Sequence, residues 1–235
     1  MRYQFVDCRW ELGAPERGRA LYLARHVPGA AFLDVETELS DLSVEGQGRH
    51  PLPSAERFAA AASRAGIGPG VQVVAYGNMG GAERLWWLLR HFGHDDCAVL
   101  LGGIDAWGGP LRAGEEEIEP AEFIARERHD TVSAEELARR LADSELVLVD
   151  ARMPNRWRGE PNPIDDPAGR IPGARNAPWN EPLPELPEGD LVAYCGSGVT
   201  ACVVLHRALL RGRDGKLYPG SWSDWSKRGL PIERD

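Results

Sequence analysis

The stretch LVAYCGSGVTACVVL at 191–205 holds residues whose types and spacing could do covalent chemistry. Residues suited to a buried strand run into Cys195, then come Gly196, Ser197 and Gly198, and then apolar residues resume at helical spacing. A loop that leads from a strand's carboxyl end into a helix N-terminus converges backbone N–H groups on one spot, and the helix dipole adds positive potential there. Glycines at 196 and 198 let the backbone curl without Cβ clashes. An anion at the mouth of such a loop is stabilised, and Cys195 can supply one as its nucleophilic thiolate. The plainer alternative is a small buried hydrophobe beside a glycine turn.

Positioning such a loop takes alternating strands and helices. Short apolar strands are expected near 3–7, 71–76, 97–101, 146–150, 191–194 and 216–218, with helices near 81–92, 133–142 and 199–211. Ser54 has the character of an N-cap for a helix that buries Phe58, Ala61, Ala62 and Ala65 and stops at Gly66. The alternation predicts an α/β fold with mostly parallel sheets flanked by helices on both sides. The chain is also internally duplicated. VDCR at 6–9 recurs as VDAR at 149–152, HVPGA at 26–30 as RIPGA at 170–174, VVAYGNMGGA at 73–82 as LVAYCGSGVTA at 191–201, and Gly102 with Trp107 as Gly220 with Trp225. Two domains follow, 1–112 and 131–235, joined by the charged segment 113–130, read as a solvated linker. Gly77 stands at the position of Cys195 in the first half, so the thiol is not needed for packing there.

Composition narrows the partners. With 36 acidic against 27 basic side chains the formal net charge is −9, which argues against nucleic acid or an anionic membrane surface. No apolar run approaches the roughly 18 residues that span a bilayer, so the expectation is a cytoplasmic protein. The four cysteines, at 8, 97, 195 and 202, have neither disulfide-framework nor zinc-ligand spacing. No metal and no cofactor is expected. Trp86, Trp87, Trp107 and Trp225 read as core, Trp10 as core or cleft, and Cys202 as buried on the helix after the loop.

The loop YCGSGVTA resembles the active-site loop of two-domain rhodanese-family sulfurtransferases, and the 3-mercaptopyruvate branch most closely. HVPGAAFLD at 26–34, WWLLRHFGH at 86–94, RIPGARNAPW at 170–179 and YPGSWSDW at 218–225 carry the resemblance across nearly the whole chain. It implies two tandem rhodanese-like domains, the first inactive. It implies that Cys195 takes sulfur from a small-molecule donor, becomes a persulfide held by the amides of 196–200, and passes the sulfur to cyanide or to a thiol such as thioredoxin or a low-molecular-weight thiol. Val199 and Thr200 complete the motif, although packing and helix capping would also account for them. In the mercaptopyruvate branch a serine, a histidine and an acid relay protons; here these are Ser197, His50 in GRHPLP and Glu36, with Asp34 and Asp41 as neighbouring acids. Arg156 matches a substrate-binding arginine, which can hold a carboxylate by two hydrogen bonds. A second arginine is replaced by Ile164, for which Arg170 could compensate; Arg158 is expected to face solvent. Gly196 and Ser197 stand where thiosulfate rhodaneses carry arginine and lysine, which favours 3-mercaptopyruvate as donor.

Two alternatives compete. A cysteine phosphatase needs an arginine six residues after the cysteine, where Ala201 stands. The same loop could also serve a noncatalytic persulfide carrier or binding module, and a thiosulfate:cyanide sulfurtransferase remains the nearest catalytic alternative.

Overall fold

The computed structural model describes residues 2–235. The chain divides into two units, Met1–Asp41 with Leu52–His129, and Leu42–Pro51 with Asp130–Asp235. The segment Leu42–Pro51, from the first half of the sequence, thus belongs to the second unit, and the segment expected to link the domains belongs to the first.

The first unit holds β1 (Arg2–Cys8), α1 (Glu16–Ala24), β2 (Ala31–Phe32), α2 (Ala55–Arg64), β3 (Val71–Gly77), α3 (Gly81–His91) and β4 (Cys97–Val99). Its four strands are all parallel, in the order β2-β1-β3-β4. The Ser54 hydroxyl accepts from Arg57 N–H at 3.2 Å, supplying the N-cap of α2. Phe58 stacks on Phe92 at 4.9 Å and meets Phe123 edge-on at 5.5 Å. The charged segment 110–130 is therefore not a free tether. Its amides donate to Leu23, Ser63, His91 and Phe92 carbonyls, at the ends of α1, α2 and α3. Helix C-termini leave carbonyls without intrahelical donors, and this strap satisfies them.

The second unit repeats the plan with α4 (Ala134–Arg139), β5 (Leu146–Asp150), α5 (Pro154–Arg158), β6 (Arg175–Asn176), β7 (Asp190–Tyr194), α6 (Ala201–Leu210), β8 (Lys216–Leu217) and α7 (Ser221–Trp225). Its sheet is again parallel, in the order β6-β5-β7-β8. Successive residues of β5 and β7 are buried, which requires cover on both faces. On one face Leu148, Val192 and Tyr194 pack with Leu137 of α4 and with Trp222 and Trp225 of α7. The short strands β2 and β6 cannot carry a period, and α1, α5 and α7 are too weakly amphipathic or too brief, so none was expected from the sequence. Trp107 is half-buried rather than core, with its indole N–H on the Pro110 carbonyl. Trp86, Trp87 and Trp225 are buried, as is Trp10 in the first unit.

Candidate active site around Cys195

Cys195 follows directly on the end of β7, and the loop it opens runs to the start of α6 at Ala201. This loop is tied down by the segment leading into α7. Trp222 N–H donates to the Cys195 carbonyl at 2.9 Å and Ser223 N–H to the Gly196 carbonyl at 3.0 Å. Ser221 Oγ accepts from Cys195 N–H at 3.1 Å and donates to the Tyr218 carbonyl at 3.0 Å. With those carbonyls drawn toward α7, the amides of Ser197 and Gly198 reach the Cys195 Sγ at 3.5 and 3.1 Å. Gly198 makes the turn at φ +84°, and a Cβ there would stand 2.6 Å from the Pro219 carbonyl oxygen. Only glycine suits both demands.

His50 is buried, and its Nδ1 lies 2.7 Å from Ser197 Oγ. Its partner therefore sits inside the same unit, because His50 belongs to the Leu42–Pro51 segment. The expectation that this histidine acts from the first domain is corrected. Its sequence lies in the first half, but this stretch of chain folds with the second, where Arg49 N–H donates to Ser223 Oγ at 2.9 Å. Glu36 stays with the first unit. Its N–H donates to Asp34 Oδ1 at 2.9 Å, and burial, with the Asp34 charge, raises its carboxyl above the usual range. Asp41, one of the alternative acids, pairs with Arg57 at 3.4 Å.

Beside the loop runs a chain of buried ion pairs. Arg152 holds Asp150 at 2.7 Å and Asp165 at 3.1 Å, and Asp165 is gripped by Arg156 through Nε at 2.6 Å and Nη2 at 2.7 Å. Burial alone would raise the Asp165 carboxyl, but the hydrogen bonds and charge of Arg156, with Arg152 and Arg49, hold it below the ordinary value. Arg156 thus reaches the loop with its fork set by a carboxylate. A Cβ on Gly196 would meet Arg156 Nη2 at 2.7 Å and Arg49 Nη2 at 2.8 Å. Gly196 and Ser197 bring no cation themselves, and the expected Arg156 is joined over the loop by Arg49. The guanidinium groups come from elsewhere in the chain and occupy the space over Gly196, which is why that position carries no side chain.

Other expectations fare differently. Arg170 does not compensate for Ile164. It lies over the Trp157 ring at 4.1 Å, pairs with Asp235 at 2.8 Å and also with Glu233, so the C-terminal carboxylates claim it. Arg158 is half-exposed and pairs with Glu160 at 2.7 Å. Val199 is buried, and the Thr200 side chain makes no capping hydrogen bond to α6. Cys202 is buried, with Sγ 3.4 Å from the Gly198 carbonyl oxygen. Sequence reasoning missed Arg49, Asp165 and Ser221. The first was legible only as a cation next to His50, the second as an acid between prolines, and the third as part of YPGSWSDW.

Among the described residues no helix is long and apolar enough to cross a membrane, and no cluster of histidine, cysteine and carboxylate side chains has metal-site geometry.

Comparison with known proteins bears on this geometry. The rhodanese-like domain family matches residues 1–109 and again 133–228. A Mycobacterium tuberculosis protein named for a candidate thiosulfate sulfurtransferase activity is 39% identical, the match covering 94% of this chain and 87% of its own. The human 3-mercaptopyruvate sulfurtransferase is 37% identical over 98% of this chain and 87% of its own. Among solved structures, the Escherichia coli 3-mercaptopyruvate sulfotransferase superposes with a TM-score of 0.79 at 32% identity, covering 94% of this chain and 93% of that one.

Proposed function

The chain belongs to the rhodanese-like domain family, and from that premise we propose that this sulfurtransferase takes sulfur from 3-mercaptopyruvate onto Cys195 and passes it to a thiol or cyanide acceptor. The observation that carries the reading is the 2.7 Å contact between His50 Nδ1 and Ser197 Oγ, two residues from the nucleophile. In the first step the Cys195 thiolate attacks the donor's thiol sulfur. An S–S bond forms, the S–C bond breaks, and the electron pair stays on carbon as the pyruvate enolate. The proton carried by the donor's thiol must leave the new persulfide and reach the enolate carbon. Ser197 and His50 form a relay suited to that transfer. The Ser197 and Gly198 amides, aimed at sulfur, stabilise the persulfide anion. In the second step the acceptor attacks the terminal sulfur and Cys195 leaves as thiolate, so the transfer is split into two easier displacements.

Thiosulfate is the second reading, favoured by the two guanidinium groups over Gly196, which suit a dianionic donor. The two donors differ in proton demand, since departing sulfite needs no proton on carbon. Steady-state kinetics with both donors separates the readings. Expected is a higher kcat/KM for 3-mercaptopyruvate, and in His50→Ala a fall in kcat of about 100-fold with that donor but little change with thiosulfate. A wild-type protein that uses thiosulfate equally well or better overturns the donor assignment. Glu36→Gln, in the first unit, tests the acid's assignment on the same kcat.

A further inference from the structure

A relay between Ser197 and His50 needs hydroxyl and ring held at hydrogen-bond distance, although 147 residues separate them in sequence. One residue of α7 holds the neighbour of each. Ser223 N–H donates to the carbonyl of Gly196, directly before Ser197, at 3.0 Å, and Ser223 Oγ accepts from the N–H of Arg49, directly before His50, at 2.9 Å. The hydroxyl's own proton goes to the Gly220 carbonyl at 3.3 Å, which leaves a lone pair for the Arg49 amide. Ser223 is buried, and the segment before His50 lies tight against it. Gly48 has φ +89°, and a Cβ there would stand 2.5 Å from the Gly220 carbonyl oxygen and 2.9 Å from Ser223 Oγ. On the other side of the histidine, Pro51 narrows the backbone choices of His50. Arg228, held by Asp224 at 2.7 Å, reaches the same segment at the Gly46 carbonyl, at 3.4 Å and farther from the ring. The duplicated frame does not itself call for this serine. The offset that aligns Gly102 with Gly220 puts Asp105 at its place in the first unit, where the side chain is exposed and pairs with Arg25 at 3.0 Å.

From this juxtaposition we infer that Ser223 is a positioning residue for proton transfer: it clasps the backbone of Arg49 to that of Gly196 and so sets the distance between His50 Nδ1 and Ser197 Oγ. This rests on the mercaptopyruvate reading of the site, in which that contact carries the proton. Ser223 acts only through His50. Removing its hydroxyl takes the acceptor from the Arg49 N–H, and a displacement of about 1 Å in such a constellation costs up to about 100-fold in rate. The loop side of the clasp is a backbone bond that substitutions at Ser223 keep, so the amides on the Cys195 Sγ stay in place.

The test uses the full chain with Ser223→Ala, Ser223→Thr and Ser223→Val, and with His50→Ala alone and combined with Ser223→Ala. With 3-mercaptopyruvate, Ser223→Ala should lower kcat about 10- to 30-fold, short of the loss from removing the imidazole itself. Ser223→Thr, which keeps the acceptor, should recover most of that loss, and Ser223→Val, of the same shape without it, should not. In the His50→Ala background Ser223→Ala should lower kcat no further, since the clasp then has no imidazole to place. Transfer of sulfur from the persulfide-loaded protein to dithiothreitol forms no enolate, and in Ser223→Ala it should stay within about threefold of the wild-type rate. Amide hydrogen exchange at Arg49 should quicken in Ser223→Ala. Wild-type kcat in Ser223→Ala overturns the assignment. So does an equal fall in the His50→Ala background or in transfer to dithiothreitol, either of which marks a general structural lesion. Should Ser223→Ala fail to fold, the shape-matched pair decides: a kcat about tenfold higher in Ser223→Thr than in Ser223→Val supports the assignment, and equal values overturn it. A wild-type protein inactive with 3-mercaptopyruvate, or an unimpaired His50→Ala, fails the relay reading itself, and the assignment of Ser223 falls with it.

Discussion

In the first unit the Tyr76 hydroxyl, near the end of β3, accepts from Val27 N–H at 3.2 Å; in the second, Tyr194 at the end of β7 accepts from Ile171 N–H at 3.1 Å. Asp7 and Arg9 form a buried pair, and Asp150 and Arg152 form the same pair with the same backbone bond from arginine N–H to Oδ1. Each loop turns on a left-handed glycine, Gly80 at φ +80° and Gly198 at φ +84°. The loops part at one position. A Cβ at Gly77 would stand 2.8 Å from the Cys8 carbonyl oxygen and 3.1 Å from Ala82 N, whereas Cys195 at the matching place has room for its thiol and two amides on it. The next residue differs too. Asn78 Oδ1 accepts from Trp10 N–H at 2.9 Å, while Gly196 leaves its space to two arginines. The comparison teaches that one backbone frame serves both units, and that chemistry depends on the space at one Cβ and on the charges beside it.

The largest expected effect tests that space. Cys195→Ser should cut turnover at least about a thousandfold and abolish the persulfide, read as a mass gain of about one sulfur atom in the wild type after donor treatment. Adding Gly77→Cys to it should not restore activity, because the Cys8 carbonyl occupies the place a side chain needs. Recovered turnover in that double variant, with the persulfide mapped to the thiol introduced in the first unit, would break the comparison.

Next come the duplicated ion pairs. Asp7→Asn leaves the buried Arg9 without its counterion and should cost about 3–5 kcal/mol in denaturant unfolding, while Asp150→Asn should cost less, because Arg152 keeps Asp165. Only Asp150→Asn should also raise KM, since Arg152 connects through Asp165 to Arg156. An equal rise in KM for Asp7→Asn would show that the pairs are not functionally distinct.

The smallest effect concerns the helices behind the loops. The offset that aligns Gly77 with Cys195 aligns Leu88 of α3 with His206 of α6, both buried. Burial, with the Arg207 charge, lowers the His206 pKa to about 4. The unfolded chain binds this proton near pH 6.5 and the folded chain only near 4, so the stability is complete above about 6.5 and is lost as pH falls towards 4. His206→Leu, which copies the first unit, should remove about 1–2 kcal/mol of that loss, measured as unfolding free energy at about pH 7 and about pH 4.5. An unchanged pH slope would refute the role given to His206.

The sequence by itself determined the parallel α/β plan, its duplication and the placing of Cys195 at a strand's end before a helix. Strand burial, helix periodicity and the glycines around Cys195 are local signals, set by neighbours within a few residues. Every strand except the short β2 and β6, and the N-cap at Ser54, were legible on that basis, as was the pairing of Ser197 with His50 once a family resemblance was added. Tertiary structure decided what local pattern does not encode. The segment 42–51 folds with the second unit, and nothing in its own composition says so. That single docking brings His50 to Ser197 and Arg49 over Gly196. The same limit explains Arg170, whose residue type suited a donor carboxylate but which the distant Glu233 and Asp235 carboxylates claim. A charge in a sequence states what it can bind; which opposite charge reaches it first is set by long-range packing.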